Sequence, residues 1–373
     1  MRAWLMESYE GIDRLRLGEV ADPQAGPAEV LLRVRIAALN PADAFLARGL
    51  YPAKPSLPHI LGRDGVGDVL AVGPVVDNVR VGETLGILRC DVGVEVWGTL
   101  AEQVVVPAES VTPVPQGWSL EEMAGAPLVL LTAWQALTQW NDPPAPPPAG
   151  SVLLVTGASG GVGLASVLLG KSMGLTVVAL SRSAEKGARL KNDQIAAPGC
   201  NVALSRSAEK GARLKRLGAD FVFDPADRNL VKAVAAAISP KKVDLAIDNV
   251  GGTLLSQVIA MLGYGGRISV VGRSGGVVPE FNTASLLFRR NRMGGVSVGD
   301  YTAQAAHVAW TEIVDRLDAM GQRPQVDTMV PFEEVKRGFV RLAEGPMGKV
   351  VVRVADEGSL TSSWPHSRPN RGG

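Results

Sequence analysis

The stretch Ser151-Val-Leu-Leu-Val-Thr-Gly-Ala-Ser-Gly-Gly-Val-Gly163 constrains this chain more than any other. Its apolar run at 152–155 reads as a buried strand, which breaks at Gly157 into a turn carrying Gly160, Gly161 and Gly163. The small, apolar residues at 164–173 read as a helix. Strand, glycine turn and helix in that order form the arrangement that holds a dinucleotide pyrophosphate. Glycine lets the backbone turn sharply and approach the phosphates, and the helix N-terminus offers unpaired N–H groups to the anion. Ser159, Gly160, Gly161, Val162 and Gly163 are therefore the candidate phosphate cradle, the alternative being a merely structural turn.

From residue 151 onward, strand-like and helix-like runs alternate. Strands are predicted at 176–180, 221–223, 243–249, 267–271 and 296–298, with helices between them that include 230–238 and 253–262. Such alternation implies an α/β fold with a parallel sheet wound on both faces. A longer amphipathic helix at 303–320 and a strand at 349–354 follow. Before residue 120 the texture differs: short alternating runs such as 30–36, 67–73 and 100–106, separated by glycine and proline, suit an irregular β-barrel. The proline run at 143–148 marks the connection between the two textures. Residues 355–373 are polar, charged and proline-containing, and read as a disordered tail. At 373 residues the chain is long enough for two domains.

Composition excludes several function classes. Basic and acidic residues number 38 and 37, which leaves no general field for nucleic acid or an anionic membrane. Two cysteines, Cys90 and Cys200, cannot build a disulfide framework or a four-thiolate zinc site. The N-terminus lacks the apolar core of a signal peptide. The charge-free segments 123–141 and 143–170 are broken by Pro127 and polar residues, and by the proline run and glycine turn, so both read as buried soluble segments. A cytoplasmic protein with no membrane partner is expected.

Residues 178–191 recur letter for letter at 202–215, a tandem duplication whose intervening piece is 192–201. Only one copy can supply both the end of the second strand and the helix after it. Spacing favours the first copy, because Ser181 and Arg182 lie about 20 residues beyond the glycine turn, where the ribose-reading residue is expected. Continuity favours the second, because 215–220 leads directly into the next strand. Strand and contact residues from the first copy, with the rest looped out, satisfy both. An NAD-preferring site places Asp or Glu at that position; here it reads Ser181, Arg182 and Ser183, followed by Lys186, or Ser205, Arg206 and Lys210 in the second copy. An arginine flanked by hydroxyls binds a 2′-phosphate through charge-assisted hydrogen bonds, so NADPH is the expected cofactor. Asn249, Gly272 and Arg273 fall at strand C-termini, the edge where open α/β sheets bind ligands.

With these residues in hand, the chain resembles the medium-chain dehydrogenase/reductase superfamily, and within it the zinc-free quinone oxidoreductase branch. The matching segments are Ala38-Leu-Asn-Pro-Ala-Asp43, Gly49-Leu-Tyr-Pro52, Leu61-Gly-Arg-Asp-Gly-Val-Gly67, Leu131-Thr-Ala-Trp-Gln-Ala-Leu137, 157–163, Asp248-Asn-Val-Gly-Gly252 and 345–349. The resemblance implies a GroES-like β-barrel catalytic domain over 1–130, completed by about 300–354. It also implies a Rossmann nucleotide-binding domain over 131–299 that carries the duplicated 178–191 and 202–215. Zinc-dependent relatives use Cys in the first motif and Gly-His-Glu in the third, where this chain has Asn40 and Gly62-Arg63-Asp64. The histidines are His59, His307 and His366, and Cys and His here cannot assemble three ligands, so no metal is expected. His59 lacks an evident ligand partner and reads as a loop residue.

The resemblance thus implies NADPH-dependent reduction of a quinone or an α,β-unsaturated carbonyl compound, where the substrate's own carbonyl spreads the developing charge. Tyr51 matches a tyrosine placed by the nicotinamide; it orients or protonates substrate, or walls the pocket. Asn40 hydrogen-bonds near the nicotinamide ribose or the substrate carbonyl, or forms a turn before Pro41. Arg63 binds an anionic or carbonyl group, or pairs with Asp64 or Asp43. Thr132 touches the cofactor, and a homodimer forms through edge strands. An enoyl-thioester reductase, with Arg289, Arg290 and Arg292 as a basic entrance for coenzyme A, and a non-catalytic NADPH-binding protein are the alternatives.

Overall fold

The computed structural model describes residues 1–181, 201–277 and 282–355, and of 201–208 the backbone alone. The predicted tail, apart from Ala355, together with Arg182, Lys186, Cys200 and His366, lies outside the described residues.

The N-terminal strands are β1 (Arg2–Met6), β2 (Arg16–Glu19), β3 (Glu29–Ala38), β4 (His59–Ile60), β5 (Asp64–Val72), β6 (Thr84–Ile87), β7 (Gln103–Pro107) and β8 (Val111–Pro113). A short helix, α1 (Pro41–Ala47), follows β3. β1 pairs with β2 and β4, and β3 is the spine of the larger sheet, pairing with both β5 and β7. Along β3 the side chains of Val30, Leu32 and Val34 alternate into a core shared with Leu85, Ile87, Val104 and Val106. That alternation is the period-two pattern of the sequence. His59 is not in a loop: it pairs with Met6 and is buried. Burial among apolar side chains holds its imidazole below the usual range.

Two helices, α2 (Leu120–Gly125) and α3 (Pro127–Thr138), lead into a six-stranded sheet. Its elements are β9 (Val152–Thr156), α4 (Gly161–Ser172), β10 (Thr176–Leu180), α5 (Asn201–Arg216), β11 (Phe221–Phe223), α6 (Leu230–Ile238), β12 (Val243–Asp248), α7 (Leu254–Met261), β13 (Leu262–Val270), α8 (Ala284–Phe288) and β14 (Arg292–Gly295). The order is β11-β10-β9-β12-β13-β14 and every pairing is parallel. This is the doubly wound order whose connections reverse direction between β9 and β12, opening a crevice at the carboxyl ends of those strands. Leu153, Val155, Val177, Ala179, Leu245 and Ile247 share one core with residues of α3 and α4. Their alternates Val152, Leu154, Val178, Leu180 and Ala246 pack with α6 and α7. β9 is buried at every position, and each such Val or Leu stabilises the fold by ~1.5–3 kcal/mol.

The sixth strand is Arg292–Gly295, not the predicted 296–298, and Val298 opens a 3-10 turn. β-Branched residues drew the prediction to 296–298. The strand ends in two glycines, and the Trp140 indole packs beside the first: a Cβ on Gly294 would lie 3.1 Å from that ring.

The two copies of the repeat divide the work. Val178, Ala179 and Leu180 of the first form most of β10, and Ser181 continues it by donating its N–H to Phe223 O. The second copy lies wholly within α5, whose Leu214 is fully buried.

The chain then returns to the barrel. α9 (Ala303–Ala319) is capped by Thr302, whose Oγ1 accepts the Ala305 N–H at 3.1 Å. Its stripe of Ala306, Ala309, Trp310, Ile313 and Leu317 is buried at helical spacing. β15 (Val326–Pro331), α10 (Val335–Ala343) and β16 (Lys349–Arg353) follow, and β16 pairs antiparallel with β3 at Ala38, Ala37 and Ile36. Just before β16, Gly348 donates its N–H to Ser159 O at 3.0 Å, so this late segment touches the glycine turn. Among the described residues no helix is long and apolar enough to cross a membrane.

Candidate active site

The glycine turn is held open by close packing. Gly157 has φ +59°, and α4 starts at Gly161, two residues inside the turn and earlier than the apolar run suggested. A Cβ on Gly163 would lie 2.2 Å from Gly157 O and 2.7 Å from Ala158 Cα, so any side chain there forces helix and strand apart. On Gly161 it would meet Val129 Cγ1 at 2.9 Å and Lys349 Cδ at 3.1 Å. Leu164 makes the first intrahelical bond, to Gly160 O, which leaves the N–H groups of Gly161, Val162 and Gly163 to serve an anion.

Across the crevice, Asp248 is fully buried and accepts from Thr156 Oγ1 at 2.7 Å and from the N–H groups of Val250 and Gly251. Asn249 donates Nδ2 to Thr156 O at 2.8 Å, and its Oδ1 is buried without a partner. Ser181 Oγ, at the end of β10, is likewise buried and unpartnered. A glycine cradle and two unspent polar atoms along one sheet edge fit a dinucleotide. Thr156 and Asp248, which fix that edge, lie in the glycine-turn stretch and in the Asp248–Gly252 segment, but were missed as site residues.

The residues expected to read a 2′-phosphate divide between the copies. Ser181 stands at the sheet edge, Arg182 and Lys186 fall outside the described residues, and Ser205 and Arg206 lie in the first half of α5. Lys210 is committed elsewhere: its Nζ donates to Gly345 O at 2.7 Å, which takes it to the returning segment instead of the edge. Arg213 makes a parallel link to Gln325 Oε1.

On the barrel side, three buried polar residues lock together. Lys349 Nζ donates to Asn40 Oδ1 at 2.6 Å and to Asp64 Oδ2 at 3.0 Å, and Asn40 Nδ2 donates to the same Asp64 oxygen at 2.9 Å. The Leu128 N–H reaches Asp64 Oδ1 at 3.2 Å. Asn40 thus spends both polar atoms inside the protein as the residue preceding α1, which corrects its expected contact with ribose or substrate. Lys349 was missed as a site residue although its segment matched a family motif; its partners sit at the other end of the chain. Asp43 accepts the Asn40 N–H at 2.8 Å and has one oxygen unpartnered. Burial pushes its carboxyl up to about 6, against the pull of that N–H and of the nearby Arg63 and Lys349 cations.

Arg63 pairs with neither carboxylate. Its Nη1 donates to the Tyr51 hydroxyl at 3.2 Å and its guanidinium lies 5.7 Å from the Tyr51 ring centre, so the structure joins these two predicted residues. Arg63, but not Tyr51, lines a small cleft together with Leu88, Arg89, Cys90, Asp91, Leu128 and Val298. Burial pushes the Cys90 thiol up to about 11, so it is protonated and unreactive at neutral pH. Thr132 sits in the middle of α3 and gives its hydroxyl proton to Leu128 O at 2.6 Å, which leaves only an acceptor for any ligand. Arg273, expected on the cofactor, crosses to the barrel instead: it donates to Leu50 O at 2.8 Å and stacks on Phe45 at 5.7 Å. Gly272 packs against Asn249, where a Cβ would lie 2.6 Å from Asn249 O.

Arg289, Arg290 and Arg292 stand away from this edge. Arg289 caps the carbonyls of Ala260 and Leu262 at the start of β13, and Arg292 opens β14 opposite Arg267. That is the amino edge of a parallel sheet, so they form no entrance to the crevice. Among the described residues no three His, Cys, Asp or Glu side chains converge as metal ligands.

Two family models match the chain: the alcohol dehydrogenase GroES-like domain over 26–116 and the zinc-binding dehydrogenase over 194–317. The second begins between the two copies of the repeat and so contains only the later one. Human quinone oxidoreductase is 24% identical over 355 residues, covering 94% of this chain and 97% of that protein. The chain belongs to the medium-chain dehydrogenase/reductase superfamily, in its quinone oxidoreductase-like branch. It is an oxidoreductase of that superfamily, whose fold implies a nicotinamide cofactor and whose relatives imply small-molecule substrates. A crystal structure of an NAD-dependent alcohol dehydrogenase superposes with TM-score 0.81 at 29% identity, covering 95% of this chain and all of that one. A mycobacterial protein solved with NADPH superposes at 0.79, 24% identical, over 95% of this chain and 100% of that one. Both share the two-part architecture, a GroES-like barrel with a Rossmann sheet.

Proposed function

We propose that this protein reduces quinones or the activated C=C bonds of α,β-unsaturated carbonyl compounds with NADPH and without a metal. The observation that carries the reading is the Arg63–Tyr51 pair beside the crevice. Because the Tyr51 oxygen accepts from Arg63, its own proton points away and is free for a substrate carbonyl. The guanidinium behind it stabilises the negative charge that develops on that oxygen. Bound NADPH would supply a hydride, two electrons with one hydrogen, and leave as NADP⁺. The proton that balances the reduction comes from Tyr51 and is replaced from solvent. Lys349 holds both oxygens, Asn40 Oδ1 and Asp64 Oδ2, that a cation would otherwise use, so a metal would have to displace a buried ammonium.

Solved neighbours of this fold include an NAD-dependent protein and one holding NADPH, so the choice of cofactor rests on this chain's own residues. No carboxylate stands at Ser181, and Arg182 with Lys186 follow it; together with Gly160–Gly163 and Asn249 these are the proposed cofactor contacts. The same reading takes 1–130 with 300–354 as the catalytic domain and 131–299 as the nucleotide-binding domain, in a cytoplasmic homodimer joined through β14. Exposed Leu287, Phe288 and Met293 beside that edge strand supply the apolar surface.

The test is an NADPH-consumption screen over quinones, enals, enones and acyl thioesters. Turnover of quinones or enones is expected, with a dissociation constant for NADPH below that for NADH and kcat lowered about 10²-fold by Tyr51→Phe. Equal affinity for both cofactors, or activity lost on chelation together with stoichiometric zinc, would overturn the proposal. Tight NADPH binding with no turnover across the screen would leave a non-catalytic binding protein.

A further inference from the structure

We propose that Arg63 is also the recognition point for a carboxylate on the substrate, so that the preferred substrates are acidic enones and not neutral ones. The inference rests on the reductase reading above and names the substrate class within it.

A half-buried guanidinium ordinarily finds a carboxylate, because charge is costly to remove from water unpaired. Arg63 finds none. Among the described residues its one hydrogen-bond acceptor is the neutral Tyr51 hydroxyl, and its Nε is buried with no partner. Neither neighbouring carboxylate bonds to it: Asp64 is spent on Lys349, Asn40 and Leu128, and Asp43, which feels the Arg63 charge, accepts the Asn40 N–H instead. The Tyr51 hydroxyl takes one N–H of Nη1 and leaves the other Nη N–H groups, which the planar guanidinium holds together as a fork.

The cleft that Arg63 lines is cationic on its other wall too. Arg89 gives its donors to the carbonyls of Val298 and Gly299, which carry no charge, so it adds positive potential. Asp91 is the one carboxylate on that lining; it is exposed at the rim, where water screens it. A ligand carrying a carboxylate supplies the missing partner, and the bidentate geometry fixes it relative to the Tyr51 proton.

The probes are 4-oxopent-2-enoate and pent-3-en-2-one, which differ by a carboxylate in place of a methyl, together with their saturated products 4-oxopentanoate and pentan-2-one. Reduction is followed by NADPH consumption, and product binding by calorimetry on protein saturated with NADP⁺. Wild type is expected to bind 4-oxopentanoate at least tenfold more tightly than pentan-2-one. Arg63→Gln is expected to remove that difference and to raise KM for the acid at least tenfold more than KM for the ketone. Arg63→Lys, which keeps the charge and loses the fork, is expected to restore part of it. Added salt should weaken binding of the acid alone.

If 4-oxopentanoate binds, Arg63→Gln abolishes the binding, and neither alkene is reduced, the carboxylate site stands and the reductase reading falls. If both alkenes are reduced and their KM ratio is unmoved by Arg63→Gln, the carboxylate site falls and the reductase reading stands. Weakened NADP⁺ binding in Arg63→Gln with 4-oxopentanoate unaffected also overturns the site, because the guanidinium then serves the cofactor.

Discussion

The two copies of the repeated segment have one sequence and two structures. Val178, Ala179 and Leu180 are a buried strand between β9 and β11, whereas the same three letters at Val202, Ala203 and Leu204 lie in α5. Propensity cannot distinguish them. In the first copy these residues follow Thr176 and Val177, already paired with β9, and the sheet extends through them. In the second they precede 209–216, whose apolar Leu214 docks against the sheet and whose helix runs back through them. Local preference is a weak prior that packing overrides, and here one protein carries both outcomes.

Charge placed at matched positions should separate the copies most. Val178→Asp buries a carboxylate in the sheet and is expected to cost at least ~4 kcal/mol in urea denaturation. Val202→Asp puts an acid in the first turn of a helix, where it changes stability by ~1 kcal/mol or less. Equal losses would break the assignment of strand to one copy and helix to the other.

A smaller effect comes from a leucine. Within the helical copy, Leu214→Ala is expected to cost ~2–5 kcal/mol. The arginines come next: if the strand copy also reads the 2′-phosphate, Arg182→Ala raises the NADPH dissociation constant by ~1–3 kcal/mol in fluorescence titration and Arg206→Ala leaves it unchanged. The reverse result would assign phosphate reading to the helical copy. Least affected should be a chain with one repeat unit excised; deletion of 178–201 or 192–215 yields the same product, and one copy then serves as strand and helix together. Its unfolding free energy is expected within ~1 kcal/mol of the parent, because loop closure depends only weakly on length.

The glycine turn, the alternation of strands and helices and the split use of the repeat were all legible in the sequence, because each rests on local spacing. What escaped has long-range causes. β14 is set by its pairing with β13, with Trp140 packed beside Gly294, and His59 sits in a strand because Met6 pairs with it. Asn40, Arg63 and Tyr51 could be named as site residues, but their roles depend on Lys349, which takes Asn40 and Asp64 and leaves Arg63 to the tyrosine. No period or motif links residue 40 to residue 349. Arg273 was misread for a related reason: its strand end was right, but the acceptor lies on the barrel at Leu50.

The contact between Gly348 and the glycine turn, with Lys349 behind it, also sets an order of assembly. A ribosome releases Asn40, Asp64 and the whole nucleotide-binding sheet before it makes β16. Until then the nascent chain holds an uncovered β3 edge at Ile36–Ala38, where an incoming strand of another chain could add, and a buried-to-be carboxylate without its ammonium. Closure of this buried pair therefore waits for β16, and a polypeptide halted in α10 would hold Asn40 and Asp64 without the lysine that joins them.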